Sequence, residues 1–280
     1  MMPKSMSDYP FKRILLATEH TEFDTGAERV AFTMALHCGI PLSVVLPLLS
    51  NPEYEVEAPR LALRAEQELA KKVAALRGEA KAAGVELEIK IRRGAEIHQE
   101  IVAEAAAIKA DLIVVRRRGK PGFLAKLLMG EMVSKVIRDT PCAVLTIPRA
   151  AEFWHQQVLA AVSDAPATPR VVMLAAKVAA VCKMPLTLVS VAAEQSGQAM
   201  AGKLDAEYTG KASEICSQVR GRVVIGKPAE QLVAVAKETS ADLLVIGRQR
   251  YNIVPFSLGG KSIMQQVVGA MDVPTLIVPA

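Results

Sequence analysis

The chain repeats itself, and this repeat is the feature that most restricts how its 280 residues can fold. The segment ADLIVV beginning at Ala110 returns as ADLLVI beginning at Ala241, 131 positions later. Earlier in each half, CGIPL beginning at Cys38 returns as CKMPL beginning at Cys182, 144 positions later. A period near 140 residues is the size of a whole domain and is far longer than a solenoid unit. The sequence therefore predicts two copies of one domain, the second one shorter.

Each half alternates short apolar runs, such as Arg13–Thr18, with segments of helical spacing, such as Thr25–Cys38. This alternation predicts an α/β fold: two tandem doubly wound, Rossmann-like domains, each a five-stranded parallel sheet flanked by helices. The predicted boundaries are an N-terminal tail over residues 1–10, a first domain over 11–150, a linker over 151–157 and a second domain over 158–280.

Composition excludes several classes of protein. Apolar residues make up 51% of the chain, which is ample for buried cores, yet no apolar run approaches the ~18–20 residues of a membrane span. Aromatic residues are only 4%, and 34 basic residues are offset by 29 acidic ones, so nucleic-acid binding is disfavoured. The first ten residues lack the apolar core of a signal peptide, and we expect a cytoplasmic protein with no membrane contact.

The cysteines and histidines do not follow a metal-binding pattern. Four cysteines show no CxxC spacing, and the four histidines show no HxxxH spacing, so the sequence predicts no metal site. His20 is the one histidine near the predicted cleft, because it closely follows the first strand. Ligands in open α/β sheets bind beyond the carboxyl ends of the strands, where strand order reverses. The loops after the first and fourth strand of each half are therefore the candidate sites.

The loop after the fourth strand resembles that of the universal stress protein superfamily. In that family a strand ending DLIVxG leads into G-x2-G-x9-G-[ST], a helix and a PCPVLVV strand. Here ADLIVVRRRG beginning at Ala110 is followed by PCAVLTIP beginning at Pro141, and ADLLVIGRQR beginning at Ala241 by PTLIVP beginning at Pro274. The resemblance spans about residues 11–279, as two tandem copies. Similar proteins dimerise through their last strands, so the resemblance implies that Ala143–Ile147 and Thr275–Val278 pair within the chain, which would also cover two sheet edges.

The resemblance implies a stress-response or regulatory protein and, in many members of the family, an ATP site. Glycines let the backbone approach phosphate oxygens, N–H groups at the next helix start bind the anion, and the last Ser or Thr adds a hydroxyl. An aspartate after the first strand contacts the nucleotide. Mg²⁺ is expected only together with a nucleotide.

Both copies depart from the family pattern, the first more than the second. In the first copy Arg116 replaces the first glycine, Glu131 replaces the hydroxyl residue and Glu19 replaces the aspartate. In the second copy Gly247 is retained, whereas Arg250 replaces the second glycine. The candidate binding residues are, in the second half, Ala161, Val162, Ser163, Asp164, Gly247, Arg248, Arg250, Gly260, Lys261 and Ser262, and, in the first half, Ala17, Thr18, Glu19, Arg116, Gly119, Gly130 and Glu131.

Three functions are therefore open. The first is a stress-response protein that binds an adenine nucleotide, with the second half favoured. The second is a nucleotide-free interaction module whose clefts are filled by Arg116 and Arg250, acting on an unidentified protein partner. The third is a weak ATPase, for which the sequence offers only Glu19, Glu131 and Asp164 as candidate bases. No residue is assigned a catalytic role, and a homodimer beyond the internal pairing of the two copies is also open.

Overall fold

A computed structural model describes residues 9–50, 59–117, 130–248 and 262–280. In the first half the elements are β1 Ile14–Ala17, α1 Thr25–Cys38, β2 Leu42–Leu49, α2 Pro59–Ala82, β3 Leu87–Gly94, α3 Ile97–Ala107, β4 Leu112–Arg116, α4 Glu131–Asp139 and β5 Ala143–Ile147. In the second half they are β6 Val158–Val162, α5 Thr168–Cys182, β7 Leu186–Ala192, α6 Gln198–Ser213, β8 Val219–Ile225, α7 Pro228–Glu238, β9 Leu243–Gly247, α8 Ile263–Ala270 and β10 Thr275–Val278. A short 3₁₀ turn over Gln195–Gly197 precedes α6.

The strands form one continuous sheet in the order β3-β2-β1-β4-β5-β10-β9-β6-β7-β8. All neighbouring pairs within each half are parallel, as predicted. The two halves meet through the antiparallel pair β5–β10, in which Leu145 lies opposite Leu276. The predicted pairing of the last strands is thus confirmed, and it merges two five-stranded sheets into one. The pairing also covers the β5 and β10 edges, which would otherwise offer unpaired backbone groups.

Helices cover both faces of this sheet. Residues of α1, α2, α5 and α6 pack into one hydrophobic cluster, and residues of α3, α4, α7 and α8 pack into another on the opposite face. Neighbouring strand residues alternate between the two, so that Leu16 joins the first cluster and Leu15 the second. Such burial on both sides explains why the central strands are apolar throughout. Both clusters run through both halves, so the core is continuous across the β5–β10 seam.

The segment between the copies is packed against the second half. The carboxylate of Asp242 accepts hydrogen bonds from the backbone N–H groups of His155, Gln156 and Gln157 at 2.6, 2.8 and 3.0 Å. Trp154 in this segment is buried and stacks on Phe153 with ring centroids 4.3 Å apart. The predicted linker is therefore held by specific contacts. Among the described residues, no helix has both the length and the apolar character needed to cross a bilayer.

Candidate functional site

The carboxyl ends of β6, β7 and β9 open onto a cavity of about 230 Å³ in the second half. β6 lies between β9 and β7 in the sheet, and this is where the strand order reverses. Ligands of doubly wound folds bind at this reversal point. The cavity walls are mainly apolar and are formed by strand ends together with α5, α7 and α8; they include Val189, Val191, Leu232, Ile246 and Val267.

Polar side chains also line this cavity. Ser163 follows β6, and its Oγ lies 3.4 Å from Oγ1 of Thr168 and accepts a hydrogen bond from the backbone N–H of Ala165 at 3.3 Å. Ser262 is the N-cap of α8 and forms a capping box with Gln265. The first turn of α8 and a serine hydroxyl therefore belong to the cavity wall, and the positive end of the helix dipole there favours an anion.

Gly247 is where β9 ends, and its lack of a side chain is structurally required. A Cβ atom placed on Gly247 would lie 2.9 Å from Cβ of Ala167 and 3.5 Å from Cγ2 of Val171. The first of these distances is shorter than packed carbon atoms allow. Glycine at this position therefore lets α5 approach the strand end while leaving the cavity free of a side chain.

The equivalent position in the first half holds Arg116, which fills the space. Its side chain is buried, with the residue 7% exposed, although it is a cation at the end of β4. One guanidinium nitrogen lies 2.9 Å from Oε2 of Glu19, and Nε lies 3.3 Å from Oδ1 of Asp24. Nη1 also donates to Oγ1 of Thr21 at 3.1 Å. The first cleft is thus occupied by an ion-pair network within the chain itself.

Three equivalent positions account for this difference between the halves. At an offset of 144 residues, Ser163 and Thr168 correspond to Glu19 and Asp24, and at an offset of 131 residues Gly247 corresponds to Arg116. We call the first-half set the ion trio, which is Glu19, Asp24 and Arg116. We call the second-half set the small trio, which is Ser163, Thr168 and Gly247. The ion trio places the buried cation of Arg116 between two carboxylates, whereas the described residues that line the second-half cavity carry no charge.

The remaining first-half candidates are engaged locally or lie at the surface. Ala17 ends β1, and the hydroxyl of Thr18 donates to Oε1 of Glu28 at 2.7 Å. Gly130 is the N-cap of α4, and the exposed Glu131 pairs with Nζ of Lys135 at 3.1 Å. Neither Thr18 nor Glu131 therefore joins a cavity like that of the second half.

The second-half candidates divide between the cavity and its surroundings. Ala161, Val162, Ser163, Gly247 and Ser262 all line the cavity. Asp164 lies beyond the end of β6 and is exposed, and Arg248 contacts carbonyl groups of the first half. The predicted candidates Gly119, Arg250, Gly260 and Lys261 lie outside the described residues.

Sequence reasoning missed Asp24, Thr168 and Glu28. Asp24 and Thr168 belong to the two trios and correspond to each other at the 144-residue offset, but no motif in the sequence marks either one. Glu28 is a buried carboxyl group on α1 that contacts Thr18 and His20. Burial raises the pKa of Glu28 above its ordinary value, while hydrogen bonds from Thr18 and His20 act in the opposite direction.

Comparison with known proteins gives one consistent family. The family model described as "Universal stress protein family" matches residues 10–148 and, separately, residues 155–279. A universal stress protein from Thermus aquaticus is 35% identical over 139 residues, which cover 49% of this chain and 98% of that protein.

Two solved structures resemble the whole chain. A universal stress protein from Archaeoglobus fulgidus is 18% identical with a TM-score of 0.75, and the match covers 98% of each chain. A functionally unknown protein from Pseudomonas aeruginosa is 17% identical with a TM-score of 0.70, covering 98% of this chain and 95% of that one. At these identities the likeness establishes a shared two-domain fold.

Proposed function

Since this chain belongs to the universal stress protein family as two tandem copies, we propose that it is a cytoplasmic stress-response protein that binds one adenine nucleotide, such as ATP, in its second half. The observation that carries this proposal is the contrast between the trios at equivalent positions. Arg116 fills the first cleft, whereas Gly247 borders a cavity of about 230 Å³. The chain is therefore proposed to bind nucleotide at one site, not two.

The cavity suits a purine base in size and in chemistry. Branched apolar side chains of β7, β9, α7 and α8 form its walls, among them Val189, Val191 and Leu232. Most ligand pockets combine such walls with a few polar groups that orient the ligand. Ser163 and Thr168 supply hydroxyl groups to the cavity lining, and the ribose is proposed to lie against them.

The phosphates are proposed to lie at the start of α8. Ser262 offers a hydroxyl group and a backbone N–H at the positive end of that helix. The sequence places Gly260 and Lys261 directly before it, and Lys261 is expected to contribute a positive charge. Binding would require Ser262 to exchange its contacts with Gln265 for contacts with phosphate oxygens. Mg²⁺ is expected to bind only with the nucleotide.

Isothermal titration calorimetry of nucleotide-stripped protein with ATP and Mg²⁺ tests this proposal. Wild type is expected to bind one ATP per chain, and Ser262→Ala to bind it about 10- to 100-fold more weakly, because a hydrogen bond to a charged group is lost. The matched control is Ser134→Ala on α4 of the first half, which should bind like wild type. Absence of heat in wild type, together with no nucleotide released from gently purified protein, would sink the proposal.

A carboxylate placed in the cavity lining gives a second test that does not depend on helix capping. Ser163→Glu installs the residue that the first half has at the equivalent position, Glu19, and leaves Gly247 without a side chain. This variant is expected to fold and to lose ATP binding, because the new carboxylate repels the anionic ligand. If the folded variant binds ATP as tightly as wild type, the nucleotide lies elsewhere.

The alternative of a nucleotide-free interaction module is supported in the first half by Arg116, which closes that cleft, while Arg250, its counterpart in this hypothesis, lies outside the described residues. It predicts that millimolar ATP with Mg²⁺ leaves the melting temperature unchanged, whereas a ligand at 100 times its Kd adds about 2.7 kcal/mol to the free energy of unfolding.

A weak ATPase is less favoured, since none of the described residues that line the cavity carries a carboxylate. Phosphate release from ATP is therefore expected to be no faster with the protein than in buffer.

A further inference from the structure

A second depression lies in the first half, beside the closed cleft, between the β1–α1 turn, α1 and α2. It is open to solvent, has a volume of about 410 Å³ and includes His20, Glu28, Lys72 and Glu79 in its lining. The side chains of His20, Glu28 and Glu79 each offer a ligand atom within 4.8 Å of the other two. Imidazole and carboxylate groups brought together in this way are the usual protein ligands of zinc.

Glu28 is placed to orient the His20 ring. Its side chain is only 4% exposed, and Oε1 lies 3.0 Å from Nδ1 of His20. The hydroxyl of Thr18 donates to the same oxygen at 2.7 Å, and an ionised Glu28 has no proton to donate, so it can only accept from the His20 ring. A carboxylate that accepts from Nδ1–H leaves the lone pair of the imidazole on Nε2, as in the carboxylate–histidine–zinc arrangement.

The free nitrogen faces a second carboxylate at a distance that a hydrogen bond does not span. Nε2 of His20 lies 4.0 Å from Oε1 of Glu79. Zinc bonds of about 2.0–2.1 Å bring two ligand atoms to about 3.3 Å in a tetrahedral site. Glu79 is 56% exposed on α2, so its side chain has room to make this approach.

His20 is also held in an uncommon backbone conformation. Its φ is +48°, in the left-handed region, and its N–H donates to Oγ1 of Thr18 at 2.8 Å. Non-glycine residues in this region occur preferentially where the surroundings fix them. The nearby ammonium group of Lys72 donates to the carbonyl oxygen of Glu19 at 2.8 Å, which holds this cation on the turn.

We propose that this depression binds one Zn²⁺ ion, with Nε2 of His20 and the Glu79 carboxylate as ligands, Glu28 as the residue that orients the imidazole, and water in the remaining positions. The sequence predicted no metal site because these residues are too far apart in the chain to form a spaced motif. A bound ion would tie the turn that carries Glu19, the partner of Arg116, to α2. The site is independent of nucleotide binding in the second half.

Calorimetric titration of chelator-treated protein with ZnCl₂ tests the two ligands. Wild type is expected to bind one Zn²⁺, Glu79→Gln to bind it at least tenfold more weakly, and His20→Asn to show no binding. Asparagine is chosen because it tolerates the left-handed backbone. Glu68→Gln, which removes an exposed carboxylate from the same helix, should bind like wild type. Absence of binding in wild type, or wild-type affinity in either ligand variant, overturns the proposal.

Spectroscopy checks where the ion and the proton lie. Co²⁺ should bind without a thiolate-to-metal charge-transfer band, and appearance of that band would place the ion on cysteine and contradict the site.

Imidazole ¹⁵N NMR of metal-free protein should show the His20 proton on Nδ1, with the Nε2 resonance shifting when zinc is added. Glu28→Ala should weaken this preference for Nδ1–H. A proton on Nε2 in wild type, or an unchanged tautomer in Glu28→Ala, would remove the orienting role of Glu28.

Discussion

Arg117 and Arg248 occupy equivalent positions in the two halves, and each donates to the carbonyl groups that end the other half's last helix. Nη1 of Arg117 donates to the carbonyl oxygens of Val268, at 2.9 Å, and Met271. Nη1 of Arg248 donates to the carbonyl oxygen of Thr140 at 2.7 Å. It also donates to the carbonyl oxygens of Ile137 and Arg138. A cation at a helix C-terminus satisfies carbonyl groups that lack partners and opposes the negative end of the dipole.

Loss of either arginine is expected to destabilise the joined halves. Arg117→Ala or Arg248→Ala removes hydrogen bonds from a charged donor, so each should lower the free energy of unfolding by about 2 kcal/mol. Urea unfolding measures this change. Arg220→Ala, at an exposed position on β8, is the control and should change stability by less than about 0.5 kcal/mol. Equal stabilities of all three variants would show that the caps contribute nothing.

The fold was predictable from the sequence because it depends on strand and helix patterns that are visible within short segments and that recur in both halves. The alternation of strands and helices, with several strands apolar throughout, indicates a parallel sheet, and the family resemblance implies that β5 and β10 pair. The contacts of Arg117 and Arg248 were not predictable in the same way. They join residues more than 100 positions apart. To predict them, the positions of two helices relative to each arginine must be known, and the pattern of residues along the chain does not give those positions.

The candidate site was predictable in part, for a similar reason. The loop motif located Gly247 and Ser262, and the offset between the copies located Ser163, which all reach one cavity. Asp24 was missed because it lies 92 residues from Arg116 and belongs to no motif. The need for a carboxylate at Asp24 becomes evident once the structure shows that Arg116 is buried, because an unpaired buried cation is strongly unfavourable.

The cysteine thiols are expected to react slowly in the native protein. Burial raises the pKa of Cys38 to about 12, and burial also raises the pKa values of Cys142 and Cys182. At pH 8, a thiol with a pKa of 12 is ionised roughly a thousandfold less than an ordinary one, and the thiolate is the reactive form. Ellman's reagent should therefore label the native protein slowly and all four thiols rapidly in denaturant. Fast native labelling of Cys38, located by mass spectrometry, would contradict this.

The buried carboxyl group of Glu28 predicts a pH dependence of stability. Burial raises its native pKa above the ordinary value of 4.5, so the folded protein holds this proton more tightly than the unfolded chain. Stability from this group is therefore greatest at low pH and decreases as pH rises from about 4.5 through the native pKa. Glu28→Gln cannot ionise, and its amide oxygen can still accept from Thr18.

Urea unfolding between pH 4.5 and 8 measures this effect. The stability of Glu28→Gln relative to wild type is expected to increase as pH rises. Glu88→Gln makes the same change in net charge at an exposed position of β3, and its stability relative to wild type should stay nearly constant. A relative stability of Glu28→Gln that is flat or decreases with pH would rule out the buried carboxylate as the cause.

The ion trio makes the most specific prediction about the closed cleft. Arg116→Gly leaves two carboxylates near the cleft without their cation, one of them on Asp24, which is 1% exposed. Breaking a buried ion network from one side costs about 3–5 kcal/mol, whereas replacing the whole network is close to neutral. The triple variant Glu19→Ser, Asp24→Thr, Arg116→Gly, which installs the small trio, should therefore recover most of the stability that Arg116→Gly loses. Urea unfolding compares the stabilities of these two variants. The double variant Glu19→Ser with Asp24→Thr is the reciprocal control, because it leaves the Arg116 cation without its carboxylates. It should be nearly as unstable as Arg116→Gly. A triple variant no more stable than Arg116→Gly would mean that the guanidinium stabilises the cleft by filling it, and not by pairing with the two carboxylates.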